Sequence, residues 1–185
     1  MIVCAGNGEE FSFAHPVGVG LVESTINLTR LALFDKPEFL IFVGSAGSYG
    51  EAKIFDIKTS MIASNIENSF WTNDSYTPLD NVIEAKKIKG EQESSIIVNS
   101  SNYITTNKNL AKHYLKHNIH LENMEFFSVM RVAQEFEIPV LGIFVVTNYT
   151  DKNAHRDFLA NHDRAKKLLS EYMVERYKDL KNITK

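Results

Sequence analysis

A single cysteine, Cys4, stands among the 185 residues. No internal disulfide can form, and a lone thiol within the apolar stretch MIVCAG reads as a core group in a reducing compartment rather than a nucleophile. No apolar run approaches the roughly 18 residues that a membrane-spanning helix requires. No basic stretch precedes an apolar one at the start, so no signal peptide is expected. Basic excess is lacking as well: the net charge is -3 and the pI about 6.1. That disfavours a surface that grips a phosphate backbone but leaves room for a small nucleoside or anionic ligand. Repeats and low-complexity blocks are absent. The histidines, His15, His113, His117, His120, His155 and His162, form no cluster with ligand spacing. His113 and His117 alone share an i,i+4 spacing, and without a third ligand a solvated helix face is expected. These absences predict a cytoplasmic protein with no nucleic-acid or membrane partner and no metal.

Apolar residues make up 44% of the chain and charged ones 23%, ordinary proportions for a globular fold long enough to bury a core. One domain over residues 1–185 is expected. MIVCAG reads as a strand, NGEE as a turn and FSFAHPVGVG as an extended return. From Leu21 the apolar spacing turns helical, through Ile26, Leu28, Leu31, Ala32 and Leu33. EFLIFVG and IPVLGIFVVTN are continuous apolar runs of strand length, which suits strands covered on both faces. IKTSMIASNI and SSIIVNS read as two further strands. Asn107 is placed to cap a helix over KNLAKHYLKHN. A second helix is expected from about Met124 to Phe136. A third runs from about Asn161 to Leu180, with Leu168, Leu169, Tyr172, Met173, Tyr177 and Leu180 on one side. Residues 66–94 carry no clear pattern, and a long loop, a hairpin or an interface arm with Phe70 and Trp71 under a partner subunit all fit. Strands alternating with helices predict a three-layer α/β fold, a mostly parallel mixed sheet flanked by helices.

In such sheets ligands sit beyond the carboxyl ends of the strands. Three predicted strands end in small polar stretches there: GNGEE, SAGSYG and TNYTD. Met124-Glu125 then opens an apolar helix with a carboxylate. An unpaired buried carboxylate is costly, so Glu125 is a solvated helix start, a satisfied structural acid or part of a binding site. Glu122, its neighbour, reads as solvated.

Taken in order, GSAG after one strand, SNYI after another, NMEFFSVMRVA and IPVLGIFVVTNYTD resemble the nucleoside phosphorylase and nucleosidase superfamily. The similar branch holds methylthioadenosine nucleosidase and the hexameric purine nucleoside phosphorylases. PVGVGLVESTINLTRLAL is similar to that family's glycine-containing strand and first long helix, so the resemblance extends from about Gly18 onward. It implies cleavage of the N-glycosidic bond of a purine nucleoside, with no cofactor, in a homo-oligomer. It gives Glu125 the ribose hydroxyls and Met124 the sugar face. It gives Tyr103 a stacking place on the base, and Ser45 and Gly47 the pocket for water or phosphate.

Two departures refine this. Where the branch has an aspartate that protonates the base, this chain has Asn148. The trimeric phosphorylases use a Thr-Asn pair on 6-oxopurines, so the resemblance points to hypoxanthine or guanine bases. Asp151, three residues on, is a candidate second acid. Where the hexameric phosphorylases and the nucleosidase each place an arginine, this chain has Phe42 and Phe144. Of its arginines only Arg30, Arg131 and Arg156 lie outside the predicted last helix, and none stands at a strand tip. Since arginine forks suit phosphate best, hydrolysis is favoured over phosphorolysis, with phosphate kept as the other acceptor. Glu9 or Glu10 stands where the nucleosidase has its water-activating acid. Glu10, Asn148 and Asp151 are the candidate catalytic residues. A catalytically weakened, nucleoside-binding member with a regulatory or assembly role is the alternative.

Overall fold

In the computed structural model, residues 1–85 and 95–177 are described. Two long strands set the frame. β3 (Leu40–Ser48) and β9 (Val140–Tyr149) pair in parallel over their whole length. Both are runs of apolar residues because both faces are covered. Phe42 and Ala46 of β3 and Phe144 and Val146 of β9 enter one core, with α1 (Gly20–Asp35) and α4 (Phe126–Glu135). The alternate residues Ile41, Val43, Leu141, Ile143 and Val145 enter a second core against α5 (Ala154–Arg176). Helix, sheet and helix thus form three layers, as predicted.

The other edge of β3 is shared. β1 (Ile2–Cys4) pairs in parallel with its beginning, and β8 (Ile119–Asn123) runs antiparallel to its end. β2 (His15–Pro16) extends the sheet beyond β1. Beyond β8 come β7 (Ile97–Ser100), β5 (Ile62–Ser64) and β6 (Val82–Glu84), while β4 (Ile57–Ser60) lies antiparallel on β9. Five of these contacts are parallel and three antiparallel, a nine-stranded mixed sheet. Among the described residues no helix is long and apolar enough to cross a membrane.

Several local expectations change. β8 was not anticipated. The last helix begins at Ala154, not near Asn161, and therefore contains Arg156; Leu180 lies outside the described residues. The buried line of α1 is Ser24, Leu28 and Ala32, one residue per turn against α4, whereas Ile26 and Leu33 point outward. The stretch after Ile66 forms a short helix, α2 (Asn68–Trp71), and then β6; its residues 86–94 lie outside the described ones. Trp71 packs on the chain's own α3 (Lys108–Lys116) and the residue after it. Its ring faces those of His113, Tyr114 and His117 at centroid distances of 6.0, 5.2 and 4.6 Å. The paired histidines are therefore an aromatic shelf. Asn107 caps α3 as expected, accepting the Asn109 N–H at 2.9 Å.

Phe42, Phe126 and Phe144 form a triangle with ring centroids 5.1–6.0 Å apart, the offset and edge-on spacing that aromatic rings prefer. They close over Gly142. A Cβ there would lie 2.5 Å from Phe144 and 2.6 Å from Phe126. Gly142→Ala is expected to lower unfolding free energy by about 1–3 kcal/mol through overpacking, read by chemical denaturation; a variant as stable as the parent would show that the triangle yields freely.

Candidate active site

A cavity of about 280 Å³ opens at the carboxyl ends of β1, β3 and β9, roofed by the start of α5 and bounded by the β8–α4 junction. Ser45, Gly47, Tyr103, Met124, Glu125 and Asn148 all line it. Glu9, Glu122, Thr147, His155 and Phe158 line it too. No lysine or arginine is among the described residues that do.

Glu125 is the residue before α4 and is only 6% exposed. Its carboxylate is held from two directions. The Gly20 N–H, at the start of α1, donates to Oε1 at 2.9 Å. Asn123 Nδ2 and the Met124 N–H donate to Oε2, each at 3.2 Å. Gly20 has a φ of +82°, and a Cβ there would come within 2.8 Å of Asn102 Oδ1, which accepts the Leu21 N–H. Glycine is needed so that the backbone can turn and approach both groups. Burial pushes the Glu125 carboxyl up to about 7; the Gly20 N–H opposes this, and the charge of Glu9 reinforces it.

Glu122 is not solvated. It lies in β8, is 7% exposed, and accepts the Tyr49 hydroxyl at 3.0 Å and the Thr105 N–H at 3.0 Å. Burial raises its pKa to about 7, against the opposing bonds from Thr105 and Tyr49. The short alternation Ile119, His120, Leu121, Glu122 was the only signal of this strand, and Asn118, at φ +59°, is the turn that starts it.

At the first turn the structure separates two neighbours. Gly6 and Glu9 bridge, with Asn7 at φ +52° and Gly8 at +103° between them. The turn directs Glu9 inward, where its carboxylate accepts the Ser45 N–H at 3.2 and 3.3 Å. Glu10 points outward. It is exposed and folds back onto the Gly8 N–H at 3.0–3.1 Å, a bond that also lowers its pKa. Glu10 is thus absent from the cavity, and Glu9 stands in its stead. Asp151 is also away from it: its carboxylate accepts the Asn153 N–H at 2.8 Å and closes the turn into α5.

Asn148 is buried at the tip of β9. Its Oδ1 accepts the Thr147 hydroxyl at 2.8 Å, and Nδ2 donates to the Tyr149 carbonyl at 3.2 Å. Since Nδ2 carries a second hydrogen, the amide presents a donor to the cavity. Tyr103, 74% exposed, forms the rim with Ile104. Of the three arginines considered, Arg30 lines a separate surface groove, Arg131 bonds Gln134 and Arg156 pairs with Asp157.

Both buried acids have folded pKa values above their unfolded ones, so their contribution to stability is full below about 4.5 and is lost as pH rises through about 7. Glu125→Gln is therefore expected to match the parent near pH 4.5 and to gain on it by roughly a few kcal/mol by pH 8. Denaturation curves at several pH values, without ligand, check this; a constant difference would mean that the carboxyl titrates normally.

Residues 93–177 match the model of the family described as the Phosphorylase superfamily. Comparison with curated protein sequences finds no match. Among solved structures, a Helicobacter pylori methylthioadenosine nucleosidase variant with 5'-methylthioadenosine in the active site superposes with a TM-score of 0.80, covering 96% of this chain and 97% of that one at 16% identity. Futalosine hydrolase of Helicobacter pylori gives 0.77, with 93% and 94% covered at 16% identity. The Streptococcus pneumoniae MTA/SAH nucleosidase with 8-aminoadenine gives 0.72, with 92% and 94% covered at 15% identity. The chain thus shares the fold of these nucleosidases and of futalosine hydrolase, and its residues 93–177 match the Phosphorylase superfamily model.

Proposed function

We propose that this chain hydrolyses the N-glycosidic bond of a purine nucleoside, with 6-oxopurines as the preferred bases. One observation carries the reading: Glu9, Glu122 and Glu125 line the cavity and no described lysine or arginine does. Rupture of a glycosidic bond develops positive charge on the sugar, which carboxylates stabilise. The same lining repels phosphate, which calls for arginine or lysine. The nucleosidases and the futalosine hydrolase that share the fold support the reaction class.

In this reading the ribose hydroxyls donate to Glu125, whose two oxygens can each take a further bond, and Met124 packs on the sugar. Glu9 holds and deprotonates the water that attacks C1′. The base lies between the Tyr103 rim and Asn148. Asn148 has one free Nδ2 hydrogen, since the other goes to the Tyr149 carbonyl, and that donor suits the O6 acceptor of a 6-oxopurine. Adenine presents an amino donor in place of O6. Tyr103 and Ile104 are left open at the rim, and a second copy of the chain is the proposed cover.

A second reading is favoured by Asn148 itself. A carboxamide has no proton to give a leaving base, and an aspartate-to-asparagine variant of the Helicobacter pylori nucleosidase is the one with methylthioadenosine in its active site. A nucleoside-binding protein with a regulatory or assembly role would have this geometry.

Incubation with inosine, guanosine, adenosine and methylthioadenosine, with and without phosphate, decides. The expected result is release of hypoxanthine and guanine independent of phosphate. Phosphate-dependent release would overturn hydrolysis, and binding without release would establish the second reading. Glu9→Gln should lower kcat by about 10²–10⁴-fold while nucleoside affinity is kept. Glu125→Ala should abolish the preference for nucleoside over free base in calorimetry; an unchanged preference removes Glu125 from the site.

A further inference from the structure

Glu122, Gly47 and Asn148 stand side by side across β8, β3 and β9: Gly47 pairs with Glu122 on one edge and with Asn148 on the other. Directly paired residues project from the same face. The residue between them has no side chain, and a Cβ on Gly47 would meet Asn148 Nδ2 at 3.0 Å and Glu122 Cγ at 3.3 Å. The acid and the amide therefore flank one small opening in the cavity wall, both lining it. A purine anion is a poor leaving group in water, so its departure at neutral pH calls for a proton at a ring nitrogen. Asn148 can bond the base but cannot supply that proton.

We propose that Glu122 is the catalytic acid that protonates the departing base beside Asn148, an assignment that rests on the nucleosidase reading. The C1′–N9 bond breaks with its electron pair going to the base. The Glu122 O–H breaks and an N–H forms on a ring nitrogen. The Glu122 carboxylate that remains is stabilised by the Tyr49 hydroxyl and the Thr105 N–H. The attacking water bonds C1′ and gives its proton to Glu9, and exchange with solvent removes that proton from Glu9 and returns one to Glu122. The hydrogen bonds fit this cycle. Both partners of Glu122 donate to it, an arrangement that suits the carboxylate. The protonated acid has a hydrogen to place, and the cavity is the side on which a ring nitrogen can accept it. Burial supplies the other half by keeping the acid protonated up to about pH 7. The titratable groups around Glu122 are Tyr49, raised well above its ordinary range by burial, Tyr114 behind it, raised to about 12, and, across the cavity, Glu9, Glu125 and His155. Neither tyrosine titrates near 7.

The test is the pH profile of kcat on the nucleoside that the parent cleaves best. The parent should lose activity as pH rises through about 7. Glu122→Gln should lower kcat by about 10²–10⁴-fold, keep KM within a few-fold and lose that limb. Adding Asn148→Asp to Glu122→Gln should recover at least tenfold, because an aspartate there can be the donor. Tyr49→Phe, which removes a bond to the carboxylate, should move the limb to higher pH. A Glu122→Gln protein with parental kcat and an unchanged limb overturns the assignment alone. So does a limb that persists in Glu122→Gln and vanishes with His155→Gln or Glu125→Gln. If Glu122→Gln fails to fold, an unmoved limb in Tyr49→Phe overturns it. Absence of base release by the parent at every pH overturns both the nucleosidase reading and this assignment.

Discussion

The site depends on a slip of register between β3 and β9. Ala46 pairs with Val146, yet Gly47 pairs with Asn148, so Thr147 is an extra residue on the bulged strand. Without it, alternation would put Asn148 in the row of Phe144 and Val146, facing α1 and α4. The bulge re-aims it across Gly47 into the cavity, as bulges beside active sites commonly do. Thr147 holds the distortion, its hydroxyl bonded to Asn148 Oδ1 at 2.8 Å and to the Ala46 carbonyl at 3.4 Å. A second slip sits on the other flank. Ile97 pairs with Ile119 and Val98 with Leu121, so His120 is extra on β8, and its ring accepts the Ile97 N–H. Glu122 and Asn148 thus each follow a bulge, and the two irregularities converge on one glycine.

Electrostatics explains why the acids can stay. Glu125 receives the first N–H of α1, a partly positive helix amino end, together with the Met124 N–H and Asn123 Nδ2. Desolvation outweighs them, and the group comes to rest near neutrality rather than fully ionised. Glu122 reaches the same balance through Tyr49 and Thr105. With Glu122 and Glu125 poised between charge states, the cavity does not carry a standing triple negative charge.

Much of this was legible in the residues. Continuous apolar runs announced β3 and β9, polar tips after them marked the end of the sheet that holds the cavity, and Met124-Glu125 marked a helix start with an acid at its mouth. What escaped notice was either short or dependent on phase. β8 has five residues, too few for alternation to stand out, so Glu122 looked like part of a polar approach to α4. In NGEE the facing of Glu9 and Glu10 is decided by positive φ at Asn7 and Gly8, and glycine accepts either sign, so the residues alone leave the phase open. Asp151 has the composition of a catalytic acid and of an Asx turn alike, and its bond to the Asn153 N–H makes it the latter.

The two phenylalanines that replace arginines in the resemblance are part of the same architecture. Phe42 and Phe144 are fully buried and meet Phe126 over Gly142. A guanidinium at either place would have to displace a ring of this triangle and give up its water, which is costly. The absence of a cation at these two places is therefore built into the packing. Phe126 is also the first residue of α4, directly after Glu125. The rings that keep positive charge out of the core beneath the site therefore fix the helix start that carries Glu125. An arginine introduced at Phe42 or Phe144 would disturb Glu125 before it could attract a phosphate.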